Sequence, residues 1–253
     1  MLLPASYANG FAPRDGRPLY PELWRGCVGA WNPGLGVSGL TLRDQSGFQN
    51  NGVLTNGPTW AASQGKYAMS MNIAVANQYV TATGRGTTTA ESTLAMWLQL
   101  SAYSTYGSIP FHADANYWVQ LATNGTMIYT GGPNFTIPST AWTDGLWRHL
   151  AFVVKSDGTK VYINGLQAGS DATKIPGTID ATEIWIGRYR GGDFWSHKGQ
   201  LDDVMTYRRP LSPQEIRTLA TRRGIAYEMA PRRRSSSAVT TNRRRRIIIG
   251  GNR

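Results

Sequence analysis

Trp147-Arg148-His149-Leu150-Ala151-Phe152-Val153-Val154-Lys155-Ser156-Asp157-Gly158-Thr159-Lys160-Val161-Tyr162-Ile163-Asn164-Gly165 is the stretch that decides the fold. A run rich in β-branched and aromatic residues is cut at Asp157-Gly158, resumes as Lys160-Val161-Tyr162-Ile163 and is cut again at Asn164-Gly165. Both dipeptides tolerate the positive φ of tight hairpin turns, so the spacing predicts consecutive antiparallel strands.

The same alternation spreads outward. In Leu94-Ala95-Met96-Trp97-Leu98-Gln99-Leu100 the period of two puts Leu94, Met96, Leu98 and Leu100 on one face, and Ala95, Trp97 and Gln99 on the other. Tyr117-Trp118-Val119-Gln120-Leu121 repeats the pattern, turns at Asn124-Gly125 and resumes as Met127-Ile128-Tyr129. Glu183–Gly187 and Gly199–Tyr207 supply two more strands. Strands at this spacing, linked by tight turns, describe an all-β antiparallel sandwich. Trp97, Trp118, Trp147 and Trp185 are expected in its core. Composition agrees: 29 Gly, 13 Pro, nine Trp and twelve Tyr in 253 residues suit many turns and short strands.

One short helix is predicted near the C-terminal end, over 212–223. Ser212 is its N-cap, Pro213 stands at the first helical position and Glu215 completes a capping box. Ile216, Leu219 and Ala220 form the buried stripe, Arg222 and Arg223 suit the negative end, and Gly224 stops the helix.

The ends read differently from the middle. Residues 1–22 carry Pro4, Pro13, Pro18 and Pro21, which marks an extended arm. Residues 224–253 hold eight Arg and one acid, whereas the rest of the chain holds 18 basic and 14 acidic residues. The body is mildly basic and the tail is a polycation. Three organisational units follow: an N-terminal arm at 1–22, a body at 23–223 and an Arg-rich arm at 224–253. In the last, Arg232, Arg233, Arg234, Arg243, Arg244, Arg245 and Arg246 repel one another in isolation, and Ile247, Ile248 and Ile249 would be exposed to no benefit. A groove or sheet edge on a neighbouring protein could use both features.

Cys27 is the only cysteine, so no internal disulfide can form, and its apolar surroundings predict a small buried side chain. The opening Met1-Leu2-Leu3-Pro4-Ala5-Ser6 lacks the pattern of a secretory signal. Nothing approaches the roughly 18 apolar residues of a membrane span. The sequons at Asn124 and Asn134 then read as incidental.

Three separated motifs resemble one family. Asp44-Gln45-Ser46-Gly47 followed by Asn50, Asn51 and Gly52, the hairpin Trp147–Gly165, and the segment from Gly199 through Leu211-Ser212 to Glu215-Ile216 are similar, in that order, to laminin-G-like jelly rolls of the concanavalin A-like lectin/glucanase superfamily. The resemblance covers about residues 23–223. It implies a jelly-roll β-sandwich of two antiparallel sheets, with one short C-terminal helix and extended arms. It does not select a function, because the architecture hosts lectins, glycosidases, adhesion modules and virion proteins.

Catalysis finds little support in the residues. A retaining glycosidase needs two carboxylates about 5–5.5 Å apart, and glucanases of this fold carry them as Glu-x-Asp-x-x-Glu on one strand. That run is absent, and the body has only Glu22, Glu91, Glu183 and Glu215. Asp202 and Asp203 are adjacent, so a regular strand would point them to opposite faces, one outer and one structural. His112, His149 and His197 show no nucleophile or metal-ligand spacing, and His149 is expected to be a hydrogen-bonding strand residue. No catalytic residue is assigned, and glycoside hydrolysis ranks last among the functions.

Many relatives bind a structural Ca²⁺, and Asp44 and Asp202 stand in the motifs that could supply ligands. The competing reading, in which Asp44 caps its own turn and Asp202 bonds locally, needs no ion, so no cofactor is required. For ligands, the loop 188–197 combines aromatics, cations and glycines, and Tyr189, Phe194, Trp195 and His197 are the candidates. The alternative there is that Phe194 and Trp195 fold back onto the sandwich.

Two functions remain. The first is a structural subunit of a large assembly, most concretely a phage or virus particle decoration, cement or fibre-associated protein. It would be assembled in the host cytoplasm and held by its arms against capsid or tail proteins. The tail's ending resembles C-terminal arms of proteins from viral and prophage-like loci. The second is a carbohydrate-binding adhesion module meeting surface glycans, at a cell surface or outside the cell. Nucleic acid would be met only through non-specific, salt-sensitive charge, since the tail lacks interleaved aromatics, and no membrane partner is expected.

Overall fold

The computed structural model describes residues 20–33, 39–63, 66–70, 77–84, 91–105, 107–113, 118–122, 127–129, 134–135, 142–172, 182–192, 195–221 and 223–225. In chain order a 3-10 turn (Pro21–Trp24) precedes β1 (Cys27–Trp31), β2 (Thr41–Leu42), β3 (Gly52–Thr55), β4 (Thr59–Ser63), β5 (Lys66–Ser70), β6 (Tyr79–Thr83), β7 (Ser92–Ala102) and β8 (Ser108–Ala113). Then come β9 (Trp118–Leu121), β10 (Met127–Tyr129), β11 (Asn134–Phe135), β12 (Arg148–Lys155), β13 (Gly158–Ile163), β14 (Leu166–Asp171), β15 (Glu183–Ile186), β16 (Lys198–Tyr207) and the helix α1 (Pro213–Leu219).

The strands form two antiparallel sheets. The first runs β14-β13-β12-β7-β16-β5-β4, with β1 also pairing β16; the second runs β11-β10-β9-β8-β15-β6-β3-β2. The deciding hairpin is β12 and β13, in register from Leu150↔Ile163 to Lys155↔Gly158. Its turn is therefore Ser156-Asp157, one residue earlier than the sequence suggested, and Gly158 opens β13 at φ +130°. A Cβ at Gly158 would run into the Asp171 carbonyl, which is why glycine stands there. The second turn follows expectation: Asn164 (φ 49°) and Gly165 (φ 82°) join Ile163 to Leu166, both left-handed as a two-residue hairpin loop requires.

Between the sheets lies the main core. Leu94, Met96, Leu98 and Leu100 of β7 pack with Phe111, Val119, Leu121, Ile184, Ile186 and Val80 of the second sheet. Fully burying each such side chain stabilises the fold by about 1.5–3 kcal/mol. Trp31 and Trp142 are fully buried here. Trp97, Trp147 and Trp185 are only half-buried, contrary to expectation, because alternation turns Trp97 and Trp185 to outer faces and Trp147 precedes β12. Only the backbone of Trp118 is described.

A second apolar cluster covers the outer face of the first sheet. Ala95, Ala151, Val153, Tyr162, Met205 and Tyr207 from its strands meet Ile216 and Leu219 of α1, with Leu23, Leu211 and Ile225. The predicted capping box is present, the Ser212 hydroxyl accepting from the Glu215 N–H and the Glu215 carboxylate from the Ser212 N–H. Arg209 forks onto the same carboxylate and reaches the Glu22 carbonyl at 2.9 Å, tying the helix to the N-terminal turn.

The helix is shorter than the sequence suggested. It stops at Leu219 with Ala220 as C-cap, not at Gly224. The physical reason lies beyond it: Arg223 stacks 3.8 Å over the Trp147 ring and pairs with Asp202 at 3.5 Å, and the Gly224 N–H donates to Asp203. These contacts draw the chain back to the sheet instead of allowing another helical turn.

Asp202 and Asp203 also depart from expectation. Both are buried, and they do not face opposite ways. Asp202 pairs with Trp97 but the next pair on β7 is Met205 with Ala95, so one extra residue bulges out. Asp203 takes up the bulge at φ 47°, a conformation aspartate tolerates better than most residues. Its carboxylate then accepts from Asn32 and Gly224, while its own N–H donates to Asp202 Oδ1 at 2.9 Å.

The Pro-rich segment through residue 19, the Asn124-Gly125 turn, Arg222, Phe194, Arg232, Arg233, Arg234, Arg243, Arg244, Arg245, Arg246, Ile247, Ile248 and Ile249 lie outside the described residues.

Candidate functional site

The outer face of the second sheet carries functional groups in an order set by register. Pairing aligns Thr41, Val53, Thr81, Trp185 and His112 in one row across β2, β3, β6, β15 and β8. In the next row Thr83 pairs Glu183. Strand alternation sends Val80, Ala82, Ile184 and Ile186 inward, so Tyr79, Thr81, Thr83, Glu183 and Trp185 must point outward.

Two features result. Tyr79 stacks on Trp185 with ring centroids 4.7 Å apart, and the Arg188 guanidinium lies 4.9 Å and 5.4 Å from the two ring centres. Beside this stack is an open groove of about 360 Å³, lined by Asn51, Val53, Thr81, Ala82, Thr83, Thr182 and Glu183. That volume is at the small end of ligand pockets, about 300–1,000 Å³. Val53 is 53% exposed, an apolar floor left open among hydroxyl, amide and carboxylate groups.

The loop proposed from sequence is partly assembled elsewhere on this face. Tyr189 packs edge-on against both His112 (5.0 Å) and Trp195 (5.2 Å), so the loop folds back over β8. His197 does not join them. It is buried, with Nδ1 2.8 Å from the Ser108 hydroxyl, and burial pushes its ring down to about 4, so it is neutral near pH 7. Desolvation likewise pushes buried His149 down to about 3. The His149 ring packs edge-on against Trp97 at 5.5 Å. Its backbone makes the hydrogen bonds instead, the N–H donating to Asn164 Oδ1 and the carbonyl accepting from the Asn164 N–H.

Asp44 and Asp202 are both engaged by protein groups. Each Asp44 oxygen already accepts two bonds, Oδ1 from Ala30 and Ser46 N–H and Oδ2 from the Ser46 hydroxyl and Asn50 N–H, all at 2.7–2.9 Å. The carboxylate thereby pins its loop to β1. Asp202 is paired with the Arg223 guanidinium, Nε 3.5 Å from Oδ2. Among the described residues no group of three His, Cys, Asp or Glu could share a metal ion. Glu183 is the sole carboxylate in the described lining of the groove, whereas glycoside hydrolysis generally employs a pair.

The groove escaped the sequence reading, although a signal was there. Tyr79-Val80-Thr81-Ala82-Thr83 and Glu183-Ile184-Trp185-Ile186 each alternate, and their polar and aromatic members are the outward ones. Their pairing across about a hundred residues is what no local pattern shows.

A profile of the concanavalin A-like lectin/glucanases superfamily matches residues 75–217. Among solved structures, the fold is similar to domain 4 of AbnA, an extracellular GH43 arabinanase from Geobacillus stearothermophilus, in complex with arabinotriose. Identity is 20% and the TM-score 0.60, over 77% of this chain and 98% of that one. It is also similar to the binding domain of botulinum neurotoxin DC in complex with SialylT, with 12% identity and a TM-score of 0.58, over 78% and 52% of the two chains. A third is the Trypanosoma rangeli sialidase in complex with the inhibitor DANA, with 15% identity and a TM-score of 0.57, over 80% and 34%. The chain thus spans about half of the toxin binding domain and a third of the sialidase. At these identities the likeness is one of fold. No curated protein matches the sequence.

Proposed function

The chain belongs to the concanavalin A-like lectin/glucanases superfamily, and on that premise we propose that its lectin-like jelly roll is a non-catalytic module held in a larger assembly by the segments that flank it. One observation carries this reading. The described chain comes in through Tyr20 and Leu23 and leaves through Gly224 and Ile225, and Leu23 and Ile225 are both buried in the cluster on the outer face of the first sheet. The groove and aromatic stack lie on the outer face of the second sheet, on the opposite side of the sandwich. A module tethered from one face and open on the other can be held and displayed at once.

The assembly in this proposal is a phage or virus-like particle, with the protein a decoration, cement or fibre-associated subunit made in the host cytoplasm. The Arg clusters at 232–234 and 243–246 suit acidic capsid or tail proteins, and Ile247, Ile248 and Ile249 suit a neighbour's groove or sheet edge. No cofactor or metal is required. The test is incorporation. Full-length protein and a form truncated after Ile225 are expressed beside the native assembly and separated by gradient. Full-length protein should sediment with particles and the truncated form should not. Equal incorporation of both contradicts the proposal.

A second reading, glycan adhesion, is favoured by the open groove beside the Tyr79–Trp185 stack. The arabinanase domain bound to arabinotriose has the same fold and lends it support. The two readings are compatible when adhesion is what the displayed face does.

A further inference from the structure

We propose that the free edge of β14 is the docking site for the segment Arg243–Ile249, which adds to it as a further antiparallel strand, and that in the isolated chain the segment is the chain's own. The inference rests on the assembly reading, in which this segment seeks a sheet edge, and names the edge that holds it until a neighbour's takes its place. The first argument is the edge itself. Among the described residues β14 pairs only with β13, and α1 and β11 approach it without pairing. It is the longest of the strands at the ends of the two sheets, six residues against five at β4 and two each at β2 and β11. Leu166, Gln167, Ala168 and Ser170 are exposed, and Leu166 at 71% is the most exposed of the large apolar side chains described. An open row of backbone donors and acceptors beside an exposed leucine invites another strand. Ala168 limits what can add. Val161 pairs Gly169 while Tyr162 pairs Gln167, so Ala168 bulges and breaks the edge into two short stretches, which suit a short segment and not a long flat strand.

The occupant follows from length and chemistry. Ile225 is buried in the cluster that includes Tyr162 of β13, the strand beside β14, so the tail leaves the fold close to this edge. Residues 226–246 then separate it from Ile247. A flexible segment of that length has an r.m.s. span of roughly 25 Å, enough to run along a strand of six residues at about 3.3 Å each. Such a tether holds its end at a local concentration in the millimolar range, above that of any second copy in dilute solution. Ile247, Ile248 and Ile249 are β-branched residues that favour strands, and Leu166 gives them an apolar neighbour. The ends of β14 set the direction. Next to Leu166, Arg217 of α1 lies against Gly165 and bonds the neutral Gln214 side chain, so four more arginines there would be repelled. Near Asp171 the charge is mixed: Glu91, Asp157 and Asp171 stand with Lys155 and Lys160, and Lys174 follows outside the described residues. Antiparallel addition puts Arg243–Arg246 at that end, where Asp157 is 67% exposed, and the isoleucines beside Leu166.

The experiment uses the full chain, in which buried Cys27 leaves the background for thiol cross-linking low. Leu166→Cys is combined in turn with Ile247→Cys, Ile248→Cys and Ile249→Cys, and as controls with Val239→Cys and Arg243→Cys. Melting curves confirm that each variant folds. Each is then oxidised at micromolar concentration, and disulfides are read by mass on unreduced, denatured chains. At least one isoleucine position should link to position 166 within one chain, at least about tenfold faster than either control. An undocked tail would favour Val239, which closes the shorter loop. Rates no higher than the Val239 control therefore overturn the proposal. So does a preference for the Arg243 control, which means parallel addition, and so do links found only between chains. The truncation test judges the assembly reading separately. Links together with full incorporation of the truncated form would keep the docked edge and sink the assembly reading. Lost incorporation without links would do the reverse.

Discussion

Replacing Arg223 with methionine should be among the most destabilising single changes outside the main core. Arg223 and Asp202 are 8% and 1% exposed, with Nε 3.5 Å from Oδ2. Coulomb's law at an effective dielectric of about 20 gives an attraction of about 5 kcal/mol at that distance. Burial pushes the guanidinium down from the usual arginine range, and Asp202 and then Asp203 oppose that shift. Removing the cation leaves a buried carboxylate without its counter-charge, which typically costs about 3–5 kcal/mol. The stack on Trp147 is lost as well. For a chain of this size, the expected fall in Tm is roughly 6–20 °C. Urea unfolding followed by tryptophan fluorescence measures it, with the slope against denaturant unchanged and the midpoint moved. The double variant Arg223→Met/Asp202→Asn should recover much of the loss, because the stranded charge is gone. A loss below about 1 kcal/mol for Arg223→Met, or no recovery in the double variant, would refute the role given to this pair.

Acid should destabilise the fold in two stages. His149 and His197 titrate at about 3 and about 4 when folded, against 6.5 for the free ring, so below pH 6.5 the unfolded chain binds more protons and stability falls towards those values. Urea midpoints from pH 7 to pH 4 should show this, and His149→Phe, which keeps a ring against Trp97, should flatten part of the slope while changing stability at pH 7 by less than about 1.5 kcal/mol. Glu215 is held down to about 2, chiefly by the Arg209 bonds acting against burial, so its contribution is present above 4.5 and is lost as pH falls from 4.5 through 2. Glu215→Gln keeps an acceptor for the Ser212 N–H but loses the charge facing Arg209, and should cost about 1 kcal/mol at pH 7 by the same measurement. Burial pushes the Cys27 thiol up to about 12, and the side chain is 4% exposed. A thiol reagent at pH 8 should therefore label it at the rate of unfolding, and fast labelling of the native protein would contradict the packing described. Gly199→Ala should cost about 2 kcal/mol or more in the same urea assay, because the residue sits at φ +154° with its would-be Cβ against the Gln99 carbonyl.

What the sequence made legible was local. The alternation of Leu94 to Leu100, the Asn164-Gly165 turn and the Ser212–Glu215 capping box depend on residues within a few positions of one another, and each formed as read. The bulge at Asp203 was hidden because its partners, Asn32 and Gly224, are 171 and 21 residues away. The helix end was misplaced for the same reason, since Arg223 is claimed by Trp147 and Asp202 and not by the helix. Aromatic content drew attention to Tyr189 and Trp195, but strand register put the open groove at Val53, Thr81 and Glu183. Register between strands far apart in the chain is a property of the whole sheet, and a single segment does not encode it.

The most direct test is the mass of the protein in its native setting, taken by native mass spectrometry or light scattering on material isolated without added denaturant. A jelly roll held from the outer face of its first sheet should be found in a complex much heavier than the 27.7 kDa chain, and should come free when the flanking segments are removed. A solitary 27.7 kDa monomer, indifferent to the loss of both segments, would contradict it.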